Sequence, residues 1–236
     1  MLPEGIKYIL IKIQDSIVTE QYFHALNYLN QLIEKSTPHA EYFKRRAYIH
    51  QMLDNIDPAI DDLTRAINLD PDRSDYYWSR GALLSFKLSK EKFINNNIKK
   101  ELHNRIITDY KNAIERDPSD PVIWLDLIEF QIVIHNFNNA VSLYGSSKPY
   151  ITLPIHRKIR AWLGCIALIF AEEKIFKQDI IPLMERSVRL RKTDWRVAEI
   201  NRFLSDIQLN EKFTRKLKAA NLIHKRFLRD FVEVPW

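Results

Sequence analysis

The chain has 236 residues, 46% of them hydrophobic, with a formal net charge of +6, only 4 glycines and 1 cysteine. Because glycine supplies the positive φ angles of tight turns, bulges and phosphate-binding loops, its scarcity argues against folds built on those elements and favours helices joined by short turns. The single cysteine, Cys165, excludes an intramolecular disulfide framework and a multi-cysteine zinc site, and we expect it to be a small buried side chain.

The N-terminal residues predict neither a targeting signal nor a membrane anchor. They lack the basic start and the continuous apolar stretch of a secretory signal. The longest apolar run, near residues 162–171, is too short to cross a bilayer. We therefore expect a soluble cytoplasmic protein.

Residues 40–73 carry the pattern that organises the chain, and they predict two helices. The second helix begins at Pro58, with Asp57 as its N-cap, and ends before Pro71 because proline cannot continue a helix. An aromatic residue stands sixteen positions before the first of two alanines, which share one helical face with a large apolar residue. The residues of this pattern are Phe43, Ala59, Leu63, Ala66 and Pro71.

The same spacing recurs on both sides of this segment. Upstream, Ile9 precedes Ala25 by sixteen positions. Downstream, the same ending and the same spacing return at Tyr110, Ala113, Pro118, Trp124 and Ala140. A spacing that repeats over several segments predicts a series of similar helix pairs.

This pattern resembles the tetratricopeptide repeat, a helix–turn–helix unit of about 34 residues. The resemblance implies an all-α fold, a right-handed α-solenoid of stacked antiparallel helix pairs with roughly 10–12 helices, because each pair buries its second face against a neighbour. We expect one domain, built from a divergent repeat, two repeats, a partial repeat, degenerate helical pairs and a capping helix. Their ranges are 6–39, 40–73, 74–119, 121–149, 150–209 and 210–231.

The repeat at 74–119 is longer than the others. Pro71 and Pro118 are separated by more than one repeat length, with about 13 additional residues between them. The additional residues lie near 87–104 and include the run Asn95-Asn96-Asn97. Because asparagine disfavours helix interiors, we expect a lengthened helix, a polar bend at the asparagines and then a second helix.

No arrangement of residues in the sequence predicts catalysis. The 7 histidines are scattered singly, and there is no glycine-rich phosphate loop. The adjacent carboxylates Asp61 and Asp62 are expected on the solvated face of an amphipathic helix. We therefore predict a protein that is not an enzyme and that needs no cofactor or metal.

In tetratricopeptide superhelices the first helix of each repeat lines a concave groove, which holds an extended peptide or a partner helix. The resemblance implies a protein-binding scaffold with these groove residues: Lys44, Arg45, Tyr48, Trp78, Phe86, Leu125 and Glu129. The clamp that other members use for the C-terminal carboxylate of chaperones is absent, because Asp75 and Asp126 would repel a carboxylate. Tyr48 and Trp78 are the expected anchors, whereas Phe86 and Leu125 have a second interpretation, packing against the insertion or the C-terminal helix.

The C-terminal region predicts an alternative function. Residues 186–230 contain 13 Lys and Arg against 5 Asp and Glu. Clustered cations gain affinity for nucleic acid by releasing counterions, and a basic amphipathic helix can lie on an acidic membrane. The candidate residues for such an anionic partner are Lys212, Arg215, Lys216, Lys218, Lys225, Arg226 and Arg229. Self-association is a third option, which the sequence does not separate from binding to another protein.

Overall fold

A computed structural model of the chain describes residues 4–91, 94–185, 190–191, 197–208, 214–229 and 231–232. Within these ranges the chain forms twelve α-helices and one pair of two-residue strands, so the predicted all-α class is confirmed. Proximity in space divides the chain into two compact units, Met1–Asp117 and Pro118–Trp236, called unit 1 and unit 2. The single domain expected from the repeat pattern stays a prediction.

Unit 1 consists of three helix pairs, each made of two consecutive helices. The helices are α1 Glu4–Val18, α2 Tyr22–Lys35, α3 Ala40–Met52, α4 Ile56–Leu69, α5 Ser74–Lys90 and α6 Asn96–Arg116. Neighbouring pairs stack because α2 packs on α3 and α4 packs on α5. The alanines of the repeat pattern allow this close approach, and all are fully buried: Ala25, Ala59, Ala66 and Ala113.

The additional residues of the third pair lengthen both of its helices. Helix α5 has 17 residues and α6 has 21, against 13 in α3 and 14 in α4. The asparagine run coincides with the start of α6. Asn95 is its N-cap, and its side-chain oxygen accepts a hydrogen bond of 2.8 Å from the backbone N–H of Asn97. Asparagine is well suited to this place, where a side chain must satisfy a free backbone N–H.

A buried ion pair recurs inside two of the helix pairs. Arg46 of α3 donates two hydrogen bonds to Asp62 of α4, both 2.7 Å long. Arg80 of α5 makes the same contact with Asp109 of α6, at 2.9 and 2.7 Å. The expectation that Asp62 lies in solvent is therefore wrong. Its carboxylate is only 3% exposed, and Arg46 satisfies both of its oxygens.

Each of these arginines also reaches the preceding helix pair. Arg46 donates a hydrogen bond of 2.9 Å to the side-chain oxygen of Asn30, and Arg80 donates one of 3.1 Å to the hydroxyl of Thr64. Asn30 and Thr64 are one repeat length apart, as are the two arginines. We call the six residues the polar ladder: Asn30, Arg46, Asp62, Thr64, Arg80 and Asp109. The ladder links each pair of unit 1 to the next.

Unit 2 is arranged around one apolar helix. Its helices are α7 Pro121–Val133, α8 Phe137–Ser146, α9 Pro154–Ala171, α10 Lys177–Met184, α11 Ala198–Gln208 and α12 Thr214–Leu228. Helix α9 contacts α7, α8, α10 and α12. Strand β1, Leu190–Arg191, pairs in parallel with β2, Phe231–Val232. No expectation covered this strand pair, since two residues are too few to leave a periodic pattern.

The contact between α8 and α9 depends on Gly164. A Cβ added to Gly164 would lie only 2.4 Å from two ring carbons of Tyr144. That ring is held in place, because its hydroxyl donates a hydrogen bond of 2.7 Å to Asp179 and the Arg160 guanidinium lies 4.0 Å from its centre. The neighbouring Cys165 is fully buried, and burial raises the pKa of its thiol to about 12.

Four of the helices that open a pair are followed, one or two positions after their last residue, by a residue with a left-handed backbone. These residues are Glu20, Asp54, His135 and Glu172, with φ angles of 56°, 57°, 63° and 64°. The next residue then closes the helix by a bond to a carbonyl five positions back, as in the 2.8 Å bond from the N–H of Gln21 to Ser16. Glycine is favoured at such a position because it has no Cβ, which would clash with the backbone when φ is positive. None of the four residues is glycine.

We therefore expect Glu20→Gly to raise the free energy of unfolding by about 1 kcal/mol, because it removes the strain of a left-handed side-chain-bearing residue. The control is Glu20→Ala, which removes the carboxylate but keeps the Cβ and should bring no gain. Urea denaturation followed by circular dichroism measures both. Equal stabilisation by alanine and glycine would assign the effect to charge rather than to backbone strain.

In the described part of the chain, none of the helices is both long and apolar enough to cross a membrane.

Candidate partner-binding surface

The first helices of unit 1 share an exposed apolar position. Val18 of α1, Met52 of α3 and Phe86 of α5 follow one another at intervals of one repeat length. Their exposed fractions are 71%, 39% and 38%. We call these three residues the apolar column. Because the helix pairs of unit 1 stack in order, one equivalent position on each pair places apolar side chains in a row along this unit.

Tyr48 extends this surface by one helical turn. It lies four residues before Met52 on α3 and is 44% exposed. The expected anchor Trp78 is half-buried in α5. Tyr48 and Phe86 are therefore the most exposed of the predicted groove residues, and Val18 and Met52 extend the surface that they form.

The two cations predicted on this face are held in ion pairs. Lys44 pairs with Asp75, and its ammonium lies 5.8 Å from the ring centre of Tyr76. Arg45 donates a hydrogen bond of 3.1 Å to Glu41, one helical turn away on α3. Both side chains are thus fixed at the edge of the apolar surface rather than extended into solvent.

Further ion pairs fix the end of α5 beside Phe86. The Lys90 ammonium lies 4.5 Å from the ring centre of Phe86 and 2.7 Å from a carboxylate oxygen of Asp54. Lys87 forms a second pair with Asp57 at 2.5 Å. These contacts join the lengthened end of α5 to the region between α3 and α4. Lys90 therefore lies over one side of the Phe86 ring, which keeps an exposed edge, and the second interpretation of Phe86 stays a prediction.

Unit 2 buries the equivalent face of its first helix. Leu125 and Glu129 hold the repeat positions of Lys44 and Tyr48, yet Leu125 is 0% exposed and Glu129 is 9% exposed. The cause is that α9 and α11 pack on α7. The expectation that Leu125 and Glu129 contact a partner is corrected, because the chain's own helices cover them.

Helix α11 docks through an aromatic anchor. Its buried side chains lie on one face and comprise Ile200, Phe203, Leu204 and Ile207. The ring of Phe203 inserts among three others, with centroid distances of 5.5 Å to His135, 6.1 Å to Phe137 and 5.3 Å to Phe170. An amphipathic helix of this chain thus occupies the region where α7, α8 and α9 meet.

A carboxyl group without a hydrogen-bond partner lies at the contact between α7 and α11. One side-chain oxygen of Glu129 is buried without a donor. Burial, and then the nearby carboxylates of Asp126 and Glu199, raise the pKa of Glu129 well above its ordinary value. Glu129 therefore keeps its proton beyond the usual acidic range.

The basic residues of α12 divide into packed and exposed ones. Lys216 donates a hydrogen bond of 3.2 Å to the carbonyl of Phe170 and pairs with Glu172 at 2.5 Å. Arg226 is half-buried. The exposed residues lie on one helical face and include one apolar residue in their middle: Arg215, Lys218, Leu222, Lys225 and Arg229. Lys212 lies outside the described residues.

The apolar side of α12 is used for packing. Phe227 stacks on Trp162 of α9 with a centroid distance of 4.1 Å, and Leu217 and Ala220 are buried beside it. The ring of His224 also faces Trp162, and its Nε2 donates a hydrogen bond of 2.7 Å to the side-chain oxygen of Asn201 of α11. Helix α12 thus covers α9, as the apolar stripe in its sequence predicts.

No family model and no curated protein matches the sequence. Solved structures do match it. MamA is 11% identical, with 99% of this chain and 100% of that chain covered and a TM-score of 0.58. YrrB, described as a tetratricopeptide-repeat protein with an unusual peptide-binding site, is 12% identical, with 90% and 88% covered and a TM-score of 0.55. The chain has the tetratricopeptide-repeat fold.

A third match is the structure of a human IFIT1 dimer with PPP-AAAA, which is 15% identical and covers 96% of this chain and 55% of that one, with a TM-score of 0.59. The matches confirm the resemblance at the level of fold. At these identities they say nothing of this chain's partner. The tetratricopeptide scaffold sets which surfaces exist, and the residues on those surfaces decide what binds.

Two features of this surface were missing from the sequence analysis. The regular spacing of Val18, Met52 and Phe86 is visible in the sequence and could have been found by listing each repeat position in turn. The covering of α7 by α11 could not have been found in this way, because the contact joins segments about 70 residues apart and α11 has no repeat signature.

The buried Glu129 predicts a pH dependence. Its raised pKa means that the folded state keeps a proton which the unfolded state loses above the ordinary carboxyl range, so this group's contribution to stability declines as pH rises. We expect the unfolding free energy of the wild type, relative to Glu129→Gln, to fall by about 1.4 kcal/mol per pH unit until the raised pKa is reached. Urea titrations of both proteins at several pH values measure this difference.

The comparison with Glu129→Gln cancels the other titrating groups. Burial lowers the pKa of His50, His103 and His224, so these groups oppose the trend by destabilising the folded state as pH falls. A difference that does not change between pH 5 and pH 8 would contradict the buried, protonated state of Glu129.

Proposed function

We propose that the protein is a non-catalytic, cytoplasmic scaffold that binds a segment of another protein on the first-helix face of unit 1. The observation that carries this proposal is the apolar column, together with Tyr48. Interface centres are enriched in aromatic residues and methionine, and exposed apolar patches mark interaction sites whereas scattered single exposed residues need no explanation. An apolar residue that is exposed at the same position of three successive repeats therefore indicates a binding surface.

The surroundings of the column favour a specific contact. Lys44, Arg45 and Lys90 are already held in ion pairs at its edge. Fixed side chains lose little conformational entropy when a partner docks, which lowers the cost of association. The proposed interface therefore has an apolar centre and a polar, preorganised rim.

The form of the partner segment is proposed to be an amphipathic helix. The support comes from unit 2, where α11 lies against the helix that corresponds to α3 and α5. Helix α11 presents Ile200, Phe203, Leu204 and Ile207 on one side, a spacing that suits a helix laid into a groove. At the equivalent positions of unit 1, Tyr48 is exposed and Lys44 and Trp78 are half-buried, so a helix of similar pattern from another protein is the occupant we propose there.

Site-specific photo-crosslinking tests the proposal. A benzophenone amino acid replaces Met52 in the full chain, and irradiation in native extract is followed by mass spectrometry of the adducts. The control places the same group at Leu69, which is 47% exposed on the second helix of the same pair. We expect a protein adduct from position 52 that is absent from position 69.

Competition separates specific capture from sticking. Excess wild-type protein should suppress the adduct, and excess Tyr48→Ala/Met52→Ala should not. Both of these side chains are exposed, so the double variant should keep the melting temperature and the helical circular-dichroism signal of the wild type. If the double variant competes as well as the wild type does, the proposed surface is wrong. The anchor role of Trp78 stays a prediction.

A second candidate function rests on the exposed face of α12. Arg215, Lys218 and Lys225 are exposed there around Leu222, which is 70% exposed. Cations that surround one apolar side chain suit the surface of an acidic membrane, because the apolar group enters the interface while the cations contact the headgroups. The residues of this face are candidates for that role.

Co-sedimentation with vesicles of phosphatidylserine and phosphatidylcholine tests the second candidate. Binding should fall with rising salt and should be lost in Arg215→Gln/Lys218→Gln/Lys225→Gln. The control removes three exposed cations from α6 instead, as Lys99→Gln/Lys100→Gln/Lys111→Gln. Equal loss in both triple variants would indicate an effect of net charge alone, and retention on DNA without vesicle binding would assign the face to nucleic acid.

A further inference from the structure

Helices α3 and α5 each use one face to pack on the preceding helix pair. In the described part of the chain, nothing covers the corresponding face of α1. Tyr8, Tyr42 and Tyr76 hold one position of three successive repeats. Tyr42 is half-buried against the core of the first pair, and Tyr76 is only 1% exposed. Tyr8 is 58% exposed, and Ile11 beside it is 59% exposed. At Tyr8 the first pair therefore presents an apolar side chain where the later pairs make contact, and Ile11 adds a second exposed apolar side chain beside it.

Asp15 restricts which kind of partner can cover this face of α1. Asp15 stands where the next two repeats have Ile49 and Leu83, which are 0% and 4% exposed. Covering a carboxylate with another apolar helix would leave its charge unpaired, which is costly. A suitable occupant must bring an apolar side chain against Tyr8 and Ile11 and a cation against Asp15.

Helix α1 itself meets these requirements. Lys7 and Asp15 lie four residues before and four residues after Ile11, and all three are exposed on one side of the helix. If two α1 helices pack antiparallel about a twofold axis at Ile11, the two isoleucines meet. Lys7 of each copy then lies opposite Asp15 of the other copy.

We infer that the protein associates with a second copy of itself through the α1 outer face, defined as Lys7, Tyr8, Ile11 and Asp15. The contact is isologous, so the same four residues act on both copies and the assembly closes as a dimer. It uses residues outside the apolar column. The dimer and the proposed partner surface can therefore succeed or fail independently.

Sedimentation equilibrium of the full chain over a wide concentration range tests the dimer. We expect the wild type to show a monomer–dimer equilibrium and Ile11→Asp to remain monomeric. Because Ile11 is exposed, the variant should keep the wild-type circular dichroism and melting temperature, which separates lost association from lost folding.

Charge reversal tests the antiparallel register. Lys7→Asp and Asp15→Lys each turn two attractive contacts into two repulsive ones and should raise the dimer dissociation constant at least about tenfold. The double variant Lys7→Asp/Asp15→Lys restores both attractions and should dimerise like the wild type. An equimolar mixture of the two single variants should form the heterodimer in preference to either homodimer.

The matched control is Glu101→Lys, which makes the same change of charge as Asp15→Lys but at an exposed site on α6, and it should leave association unchanged. Three results would each overturn the inference. They are a wild-type monomer at all concentrations, association that persists in Ile11→Asp, and a double reversal that stays as weak as the single ones.

Discussion

Replacing Gly164 with alanine is expected to lower the free energy of unfolding by about 3 kcal/mol, because the new Cβ overlaps a fixed ring. The Cβ would lie 2.4 Å from two carbons of Tyr144 and 2.8 Å from a third. The ring has little freedom to retreat, since Asp179 holds its hydroxyl and Arg160 lies on its face. Either α8 and α9 move apart, or the hydrogen bond to Asp179 breaks.

Gly81 supplies the matched control. It also stands on the first helix of a pair, but a Cβ there would meet its nearest atoms, on Asp109 and Tyr110, at 3.3 and 3.4 Å. That mild crowding is offset by the gain of about 1 kcal/mol from replacing glycine by alanine within a helix. We therefore expect Gly81→Ala to change stability by less than about 1 kcal/mol.

Thermal and urea denaturation measure both glycine variants. A loss of about 3 kcal/mol corresponds to a fall in melting temperature of roughly 6 to 12 °C for a chain of this size. If Gly164→Ala proves as stable as Gly81→Ala, the packing of α8 on α9 is looser than the structure describes.

Removal of Arg46 alone is expected to destabilise the protein by about 3 kcal/mol, since it leaves the buried carboxylate of Asp62 without its partner. Asp62 receives both of its 2.7 Å hydrogen bonds from this guanidinium. Arg46→Met keeps the apolar stem of the side chain and removes only the guanidinium. The cost therefore reports mainly the uncompensated charge of Asp62 rather than lost packing of the stem.

The double variant Arg46→Met/Asp62→Leu should recover to within about 1 kcal/mol of the wild type, because removing both charges removes the desolvation cost as well. Unit 2 contains a precedent in the same protein. Leu127 and Leu143 hold the repeat positions of Arg80 and Asp109, and Leu127 is fully buried. Urea denaturation of the two single variants and the double variant gives the coupling energy. A double variant no more stable than Arg46→Met would contradict this account.

Much of the fold could be predicted because the repeat imposes a local rule. The buried alanines and the aromatic residue sixteen positions before them reveal helix pairs without any knowledge of long-range contacts. The polar ladder could also have been predicted from the sequence. Arg46 and Arg80 are one repeat length apart, and Asp62 and Asp109 are separated by the span of the lengthened repeat. Taken alone, Asp62 beside Asp61 looks like part of a solvated helix face. Only the recurrence of an arginine partner in the next repeat distinguishes it from an exposed carboxylate.

The candidate site could be predicted only where the repeat continues. Tyr48 is exposed and Phe86 keeps an exposed edge, because no other described helix covers that face in unit 1. Leu125 and Glu129 occupy equivalent places and are buried, because α11 and α9 reach α7 from later in the chain. Such contacts depend on the path of the whole chain, which position within a repeat does not encode.

The lengthened third helix pair bears on how this chain could accept further change. Relative to α3 and α4, helix α5 gains 4 residues and α6 gains 7, close to one and two turns of helix. Growth by whole turns at the junction leaves Gly81 facing Tyr110 and Arg80 facing Asp109, as their contacts require. The junction between α5 and α6, beyond the ion pairs of Lys87 and Lys90, is thus a natural insertion point, where a fluorescent label, an affinity tag or a whole extra domain could be grafted without disturbing the register of the repeats.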